Sequence, residues 1–240
     1  MLGMEVQVAV AKIGKYATSS SGDTVEVVER PQGGVSAVLA DGQSSGKGAK
    51  TVSSLVVRKV IALLAEGVRD GAAARAASDS LFTERNGKVS STLNILSVDY
   101  QTRTLVITRN NPAPAILARQ GQIKWLSEVS IPIGLYRDTR PIISEVPLEA
   151  GMVAIAFSDG LVHAGERLGQ SLDIVSCIQE LLEEEAPSPQ LIADTLLSHA
   201  LRLDDYRPVD DISVVVLGIM KHAGDEVRRM VVRLPLEPNY

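Results

Sequence analysis

Three aspartate positions stand where short apolar runs begin or end. Asp41 ends one such run and Asp159 ends another, and each is followed directly by glycine. Asp210 and Asp211 open a third apolar run. A single Asp-Gly pair is also an ordinary turn signal. Its recurrence at separate predicted strand ends, together with the paired aspartates, predicts one cluster of carboxylates.

Such a cluster is typical of a metal site. Asp23, after a Ser-Gly turn, adds a fourth carboxylate position, and the backbone carbonyl of Gly42 could also face a metal. Hard oxygen donors suit Mg²⁺ or Mn²⁺, and ionised carboxylates crowd together only around a cation. We therefore expect one or two ions, which could activate water for attack on a phosphate. The alternative is that Asp41 and Asp159 merely cap turns and helices.

Hydrophobic periodicity predicts the elements that position these residues. Helices are expected over 46–66, 71–85, 171–184 and 189–203. Strands are expected over 5–13, 24–29, 35–40, 91–100, 104–109, 115–118, 122–125, 142–146, 152–157 and 210–220, with a last edge strand over 227–234.

The order of these elements predicts an α+β fold in which two packed antiparallel β-sheets are flanked by helix pairs. The first three strands have short connections and are expected to form an antiparallel meander. We expect a single domain over residues 1–240, with its core from about residue 5 to residue 220.

Composition excludes several classes of function. The formal net charge of −5 over 240 residues argues against nucleic-acid and anionic-membrane partners. Cys177 is the single cysteine, which excludes a disulfide framework and a thiolate metal site. A reducing, cytoplasmic location is the expectation that follows.

The motifs together resemble the metal-dependent serine/threonine phosphatases of type 2C, the PPM family, and within it the bacterial SpoIIE branch. Each motif alone is loose, whereas their order and spacing are specific. The resemblance runs from about residue 5 to residue 220. It rests on Ser21–Asp23, Asp41–Gly42 with Ser45–Ala49, Ser91–Ile95, Asn111–Pro114, Ile131–Leu135, Ser158–Gly160 and Asp210–Ser213.

The resemblance implies a catalytic role for Asp41, Asp159 and Asp210. Asp41 would bridge two Mn²⁺ or Mg²⁺ ions, while Asp159 and Asp210 would hold the second ion. Of the other candidate metal ligands, the carbonyl of Gly42 would contact a metal directly, and Asp23 would act through water. Water would attack the phosphate directly, without a phosphoenzyme.

Two features depart from the pattern of many eukaryotic members, and one further position varies within the family. A histidine proposed there as general acid is replaced here by Gln43. The arginine that grips the substrate phosphate has no clear counterpart, because Arg30 lies at the far end of its predicted strand from Asp23. Asp211 stands where the family varies, as an alternative ligand or a residue behind the ligands.

Chain length adds an expectation about partners. The catalytic domain fills the chain, which resembles the bare feedback phosphatases of bacterial stress signalling. This resemblance implies phosphoserine or phosphothreonine on STAS-domain proteins of the stressosome, similar to RsbS and RsbR, as substrates. Two alternatives stay open: a phosphatase of a lone anti-sigma-factor antagonist, similar to SpoIIE itself, and a catalytically weak module that binds its partner.

Overall fold

The computed structural model describes residues 3–183, 187–222 and 224–235. Within these ranges, two five-stranded antiparallel sheets carry helices on their outer faces, which confirms the predicted α+β sandwich. The strands are β1 (Gly3–Ile13), β2 (Asp23–Glu29), β3 (Gly34–Gly42), β4 (Ser91–Asp99), β5 (Thr104–Asn110), β6 (Ala115–Arg119), β7 (Gln122–Leu126), β8 (Ile142–Pro147), β9 (Val153–Phe157) and β10 (Ile212–His222). The helices are α1 (Gly46–Ala65), α2 (Asp70–Arg85), α3 (Asp159–Val162), α4 (Ile174–Glu183) and α5 (Pro189–Leu203).

The strand order of the two sheets determines where the aspartates lie. One sheet runs β2-β3-β4-β5-β8 and the other β1-β10-β9-β6-β7. Asp23 and Asp41 are direct register partners where β2 begins and β3 ends. In the second sheet, Phe157 at the end of β9 pairs with Val214 near the start of β10. Asp159, which follows β9, and Asp210, which precedes β10, therefore lie at the same end of these two neighbouring strands.

The core between the sheets is built from apolar side chains that alternate along each strand. Leu39 and Leu96 of the first sheet and Ala154 and Leu217 of the second belong to this buried layer. Because successive strand residues point to opposite faces, the intervening residues form the outer layers. Val38, for example, packs under α1 and α2.

The helix pairs cover the outer faces of the two sheets, α1 and α2 on one side and α4 and α5 on the other. Local sequence accounts for the start of α5, where the Ser188 hydroxyl accepts a hydrogen bond from Leu191 N at 3.1 Å and Pro189 occupies the first turn. No helix in the described ranges is long and apolar enough to cross a membrane.

Pairing corrects two expectations at the chain ends. The second and third strands pair antiparallel as predicted, but the first strand does not join them, because β1 pairs with β10 over the register Gly3–Ile13 with Ile212–His222. The predicted edge strand over 227–234 is also wrong, since these residues are exposed and form no strand. Helix α4 begins at Ile174 rather than residue 171, and residue 184 lies outside the described residues.

Candidate metal centre

The strand ends of the two sheets enclose a cavity of about 450 Å³. Asp41, Asp159 and Asp210 line it together with Gly42, so the fold brings these predicted site residues to one place. Asp23 and Asp211 do not line the cavity. The other lining residues are Lys15, Gln43, Ser44, Ser45, Ser90, Ser91, Thr92 and Pro132.

A hydrogen-bonded clamp at Ser158 fixes Asp159 beside Asp210. Ser158 N donates to Ser213 O at 3.0 Å, and Ser213 N donates to the Ser158 hydroxyl at 2.9 Å. The same hydroxyl donates to Asp211 O at 3.2 Å. These bonds join the end of β9 to the start of β10, so the backbone segments that carry Asp159 and Asp210 are held next to each other.

Two motifs of the sequence analysis support the cavity wall through backbone contacts. Asn111 Nδ2 donates to Phe157 O at 3.2 Å and thereby anchors the end of β9 two residues before Asp159. Ser91 and Ile133 exchange backbone hydrogen bonds of 3.1 and 2.9 Å, which brings Pro132 to the cavity. Asn111 therefore supports the site through its side-chain amide, and the segment around Ile133 supports it through backbone pairing.

Gly42 and Gly160 are glycines because the backbone of another element lies against them. A Cβ at Gly42 would overlap the carbonyl oxygen of Ala49 in α1, and a Cβ at Gly160 would overlap the carbonyl oxygen of Asp211. Any side chain at either position would push apart the segments that carry the cavity carboxylates.

Asp23 is the most buried of the candidate ligands. Its side chain is fully buried, and neither carboxylate oxygen has a hydrogen-bond partner in the described ranges. Burial raises the pKa of Asp23 to about 6. Its backbone carbonyl, in contrast to its carboxylate, has hydrogen-bond partners, because it accepts from Lys12 Nζ at 2.5 Å and Lys50 Nζ at 2.9 Å.

The cavity carboxylates destabilise each other's charged forms. Burial, followed by the charges of Asp23 and Asp159, raises the pKa of Asp41 to about 9. Burial and the charge of Asp210 also raise the pKa of Asp159. The protein thus holds several acidic groups where solvation is poor and mutual repulsion is strong, which is unfavourable without a compensating cation.

The donor set fits Mg²⁺ or Mn²⁺. The available ligands are carboxylate oxygens and the Gly42 carbonyl, and the orphaned buried oxygens of Asp23 lie behind them. No three acidic, histidine or cysteine side chains in the described part of the chain already converge closely enough to enclose an ion. Asp41, Asp159 and Asp210 are the side chains that would hold the cation at the cavity.

Asp211 is tied to the backbone of the loop between β1 and β2. Its two carboxylate oxygens accept hydrogen bonds from Lys15 N at 2.9 Å and Gly22 N at 2.7 Å. Its own amide donates to Asp210 Oδ1 at 2.9 Å. Asp210 therefore faces the cavity, while Asp211 anchors the loop that leads to Asp23.

The metal-free protein should lose stability as the pH rises. Asp23 and Asp41 have folded pKa values of about 6 and about 9, above the ordinary value of 3.8. Between the ordinary pKa of 3.8 and the folded pKa of about 9, the folded chain binds more protons than the unfolded chain, so its free energy of unfolding falls with increasing pH. Thermal unfolding in EDTA at several pH values between about 5 and 9 measures this dependence. Asp41→Asn should flatten the profile, and equal slopes in the two proteins would contradict the assignment.

Sequence reasoning overlooked several residues of the cavity wall. Lys15 lies in a Ser-rich loop and attracted no assignment, although its place between a strand and Asp23 was a usable signal. Ser90 and Gln43 form a further unpredicted link, in which Ser90 N donates to Gln43 Oε1 at 2.9 Å. Arg30, at the far end of β2 from Asp23, is absent from the residues that line the cavity.

The fold is shared with several solved phosphatase structures. The PP2C phosphatase domain of SpoIIE from Bacillus subtilis, with a fragment of its regulatory domain, superposes with a TM-score of 0.78 at 22% identity. That match covers 93% of this chain and 66% of the SpoIIE chain, so this chain spans slightly less than two thirds of that relative's length.

Two of the similar structures contain metal ions. The catalytic domain of the serine/threonine protein phosphatase PstP, in complex with two manganese ions, has a TM-score of 0.69 at 18% identity, covering 91% of this chain and 100% of that one. RsbX in complex with magnesium has a TM-score of 0.67 at 16% identity, with coverages of 91% and 100%.

Comparison with protein families gives a match in sequence as well as in fold. No curated protein sequence matches the chain significantly. The family described as Stage II sporulation protein E (SpoIIE) matches residues 31–219, a range that contains Asp41, Asp159 and Asp210. The chain therefore belongs to the SpoIIE family and has the fold of the PP2C phosphatases.

Proposed function

We propose that this chain is a metal-dependent protein serine/threonine phosphatase. The convergence of Asp41, Asp159 and Asp210 on one cavity, within a PP2C fold, is the observation that carries the proposal. Mn²⁺ or Mg²⁺, when bound, would neutralise phosphoryl charge and lower the pKa of water. The chain's own part is to hold the three carboxylates at the strand ends of two sheets, which pack through a shared apolar core, while the Ser158 hydrogen bonds join the segments that carry Asp159 and Asp210.

Gln43 does not supply an acid to the leaving group. Its Oε1 already accepts hydrogen bonds from the backbone and hydroxyl of Ser90, and its amide N–H group, although a hydrogen-bond donor, is too weak an acid to transfer a proton at neutral pH. The side chain instead holds the loop after Asp41 against the start of β4. We therefore expect slow turnover, which suits a signalling enzyme.

For the substrate, we propose phosphoserine or phosphothreonine on STAS-domain proteins of a stressosome-type pathway. The likeness to RsbX over the whole of that chain, and the SpoIIE family membership, support this class of partner. A phosphatase of a lone anti-sigma-factor antagonist is the nearest alternative. It draws on the higher TM-score with SpoIIE, and its substrate would also be a STAS domain.

Phosphate release from a phosphorylated STAS domain, with Mn²⁺ and with EDTA, tests the activity and its metal requirement together. We expect release only with the metal. Comparison with an unrelated phosphoserine protein tests the substrate class, and equal rates on both would overturn the STAS proposal while leaving the phosphatase intact. Binding of the STAS domain without hydrolysis at any metal concentration would favour the partner-binding module.

A further inference from the structure

An acidic cavity poses a problem for a phosphatase, because its substrate is a dianion. Among residues 3–183, 187–222 and 224–235, Lys15 is the single cationic residue that lines the cavity, together with Asp41, Asp159 and Asp210. No arginine in the described part of the chain lines the cavity, so a phosphate-binding guanidinium has no counterpart among these residues. The charge needed to hold a phosphoryl group must then come from this lysine or from the metal.

The backbone of Lys15 is fixed on both sides. Its amide donates to Asp211 Oδ1 at 2.9 Å, and its carbonyl accepts hydrogen bonds from the Thr18 hydroxyl at 2.7 Å and from Thr18 N at 3.2 Å. The next residue donates its amide to Pro208 O at 2.9 Å. These contacts tie the backbone of Lys15 to the segment that carries Asp210.

The ammonium group of Lys15 is uncommitted. Within residues 3–183, 187–222 and 224–235 it makes no ion pair and no side-chain hydrogen bond. By contrast, the ammonium groups of Lys12 and Lys50 both donate hydrogen bonds to the carbonyl oxygen of Asp23. A fixed backbone with a free ammonium at a cavity wall is suited to a ligand that brings its own negative charge.

We propose that Lys15 binds the phosphoryl group of the substrate, in place of the arginine that the cavity lacks. The ligand class is a phosphate monoester dianion, presented as phosphoserine or phosphothreonine on a protein. This inference rests on the proposed phosphatase function. A lysine that contacts the phosphoryl oxygens equally before and during reaction contributes uniform binding, which changes KM and leaves kcat in place.

Steady-state hydrolysis of para-nitrophenyl phosphate at saturating Mn²⁺ tests the proposal. Lys15→Met should raise KM about tenfold, as expected for a lost charge-assisted hydrogen bond, with kcat nearly unchanged. Inorganic phosphate should inhibit the variant more weakly by the same factor, and Lys15→Arg should restore most of the affinity. Lys47→Met, an exposed lysine of α1 outside the cavity lining, is the matched control.

Two further measurements distinguish a failure of the Lys15 proposal from a failure of the proposed phosphatase function. Mn²⁺ affinity by calorimetry should be the same in Lys15→Met and the wild type, and a KM for a phosphoserine peptide should rise as it does for the aryl ester. If the wild type hydrolyses nothing, protection of the Mn²⁺-loaded protein by inorganic phosphate against thermal unfolding still tests Lys15. An unchanged KM and phosphate affinity in Lys15→Met, or an equal loss in Lys47→Met, would overturn the proposal.

Discussion

Replacing Asp41 by Asn should reduce Mn²⁺-dependent hydrolysis by a factor of about 10³ or more. Removing this carboxylate weakens the site for the cation, and a metal supplies several kcal/mol of charge stabilisation in the transition state. Asn has the same shape as Asp, and the hydrogen bonds made by the backbone at this position should persist. Asp41 N donates to Thr92 Oγ1 at 3.3 Å, and Asp41 O accepts from Ser91 Oγ at 2.7 Å.

The fold of the variant should therefore be retained, and stability separates catalysis from folding. Because burial and neighbouring charges raise the pKa of Asp41, its neutral replacement should stabilise the metal-free protein at alkaline pH. Rate measurements at several Mn²⁺ concentrations and unfolding in EDTA provide the two readouts. Asp194→Asn, on the exposed face of α5, is the control and should alter neither. Activity within tenfold of the wild type in Asp41→Asn would contradict the proposed metal centre.

Replacing Arg30 by Met should cost about 3–5 kcal/mol of the free energy of unfolding. Arg30 forms a buried ion pair with Asp70, with side-chain exposures of 7% and 6%. It also donates to Val68 O at 2.8 Å, so it joins the end of β2 to the turn between α1 and α2. Without it, the Asp70 carboxylate is left buried and unpaired.

Chemical denaturation of a matched pair of variants measures this effect. Arg228→Met breaks an ion pair with Glu29 that is 78% and 58% exposed, for which we expect about 0–1 kcal/mol. Adding Asp70→Asn to Arg30→Met should recover part of the loss, because the uncompensated charge is removed. Hydrolysis per folded molecule should not change in Arg30→Met, since Arg30 lies at the opposite end of β2 from Asp23. Equal costs for Arg30→Met and Arg228→Met would refute the buried-pair account.

Local patterns in the sequence determined the elements and the chemical type of the site. The apolar run of β3 and its ending at Asp41-Gly42 predict a buried strand that presents a carboxylate, because both signals lie within a few adjacent residues. The same holds for β9 with Asp159, and the periodicity of α1 and α2 predicted that helix pair. Oxygen donors repeated at strand ends were enough to indicate a hard cation.

Only the tertiary structure decided which distant segments meet. The partner of β1 is β10, about two hundred residues away, and no local signal distinguishes this pairing from a meander with β2. Residues 227–234 have a strand-like composition, but a strand forms only where a neighbour accepts its hydrogen bonds.

The same reason separates Asp210 from Asp211, which are adjacent and chemically identical. Both residues precede β10, where hydrogen bonds from the Lys15 and Gly22 amides hold the Asp211 carboxylate against the loop between β1 and β2, whereas Asp210 lines the cavity. The sequence thus determined that carboxylates cluster here. Contacts between distant segments decided which of them line the cavity together with Lys15, because no local pattern specifies those contacts.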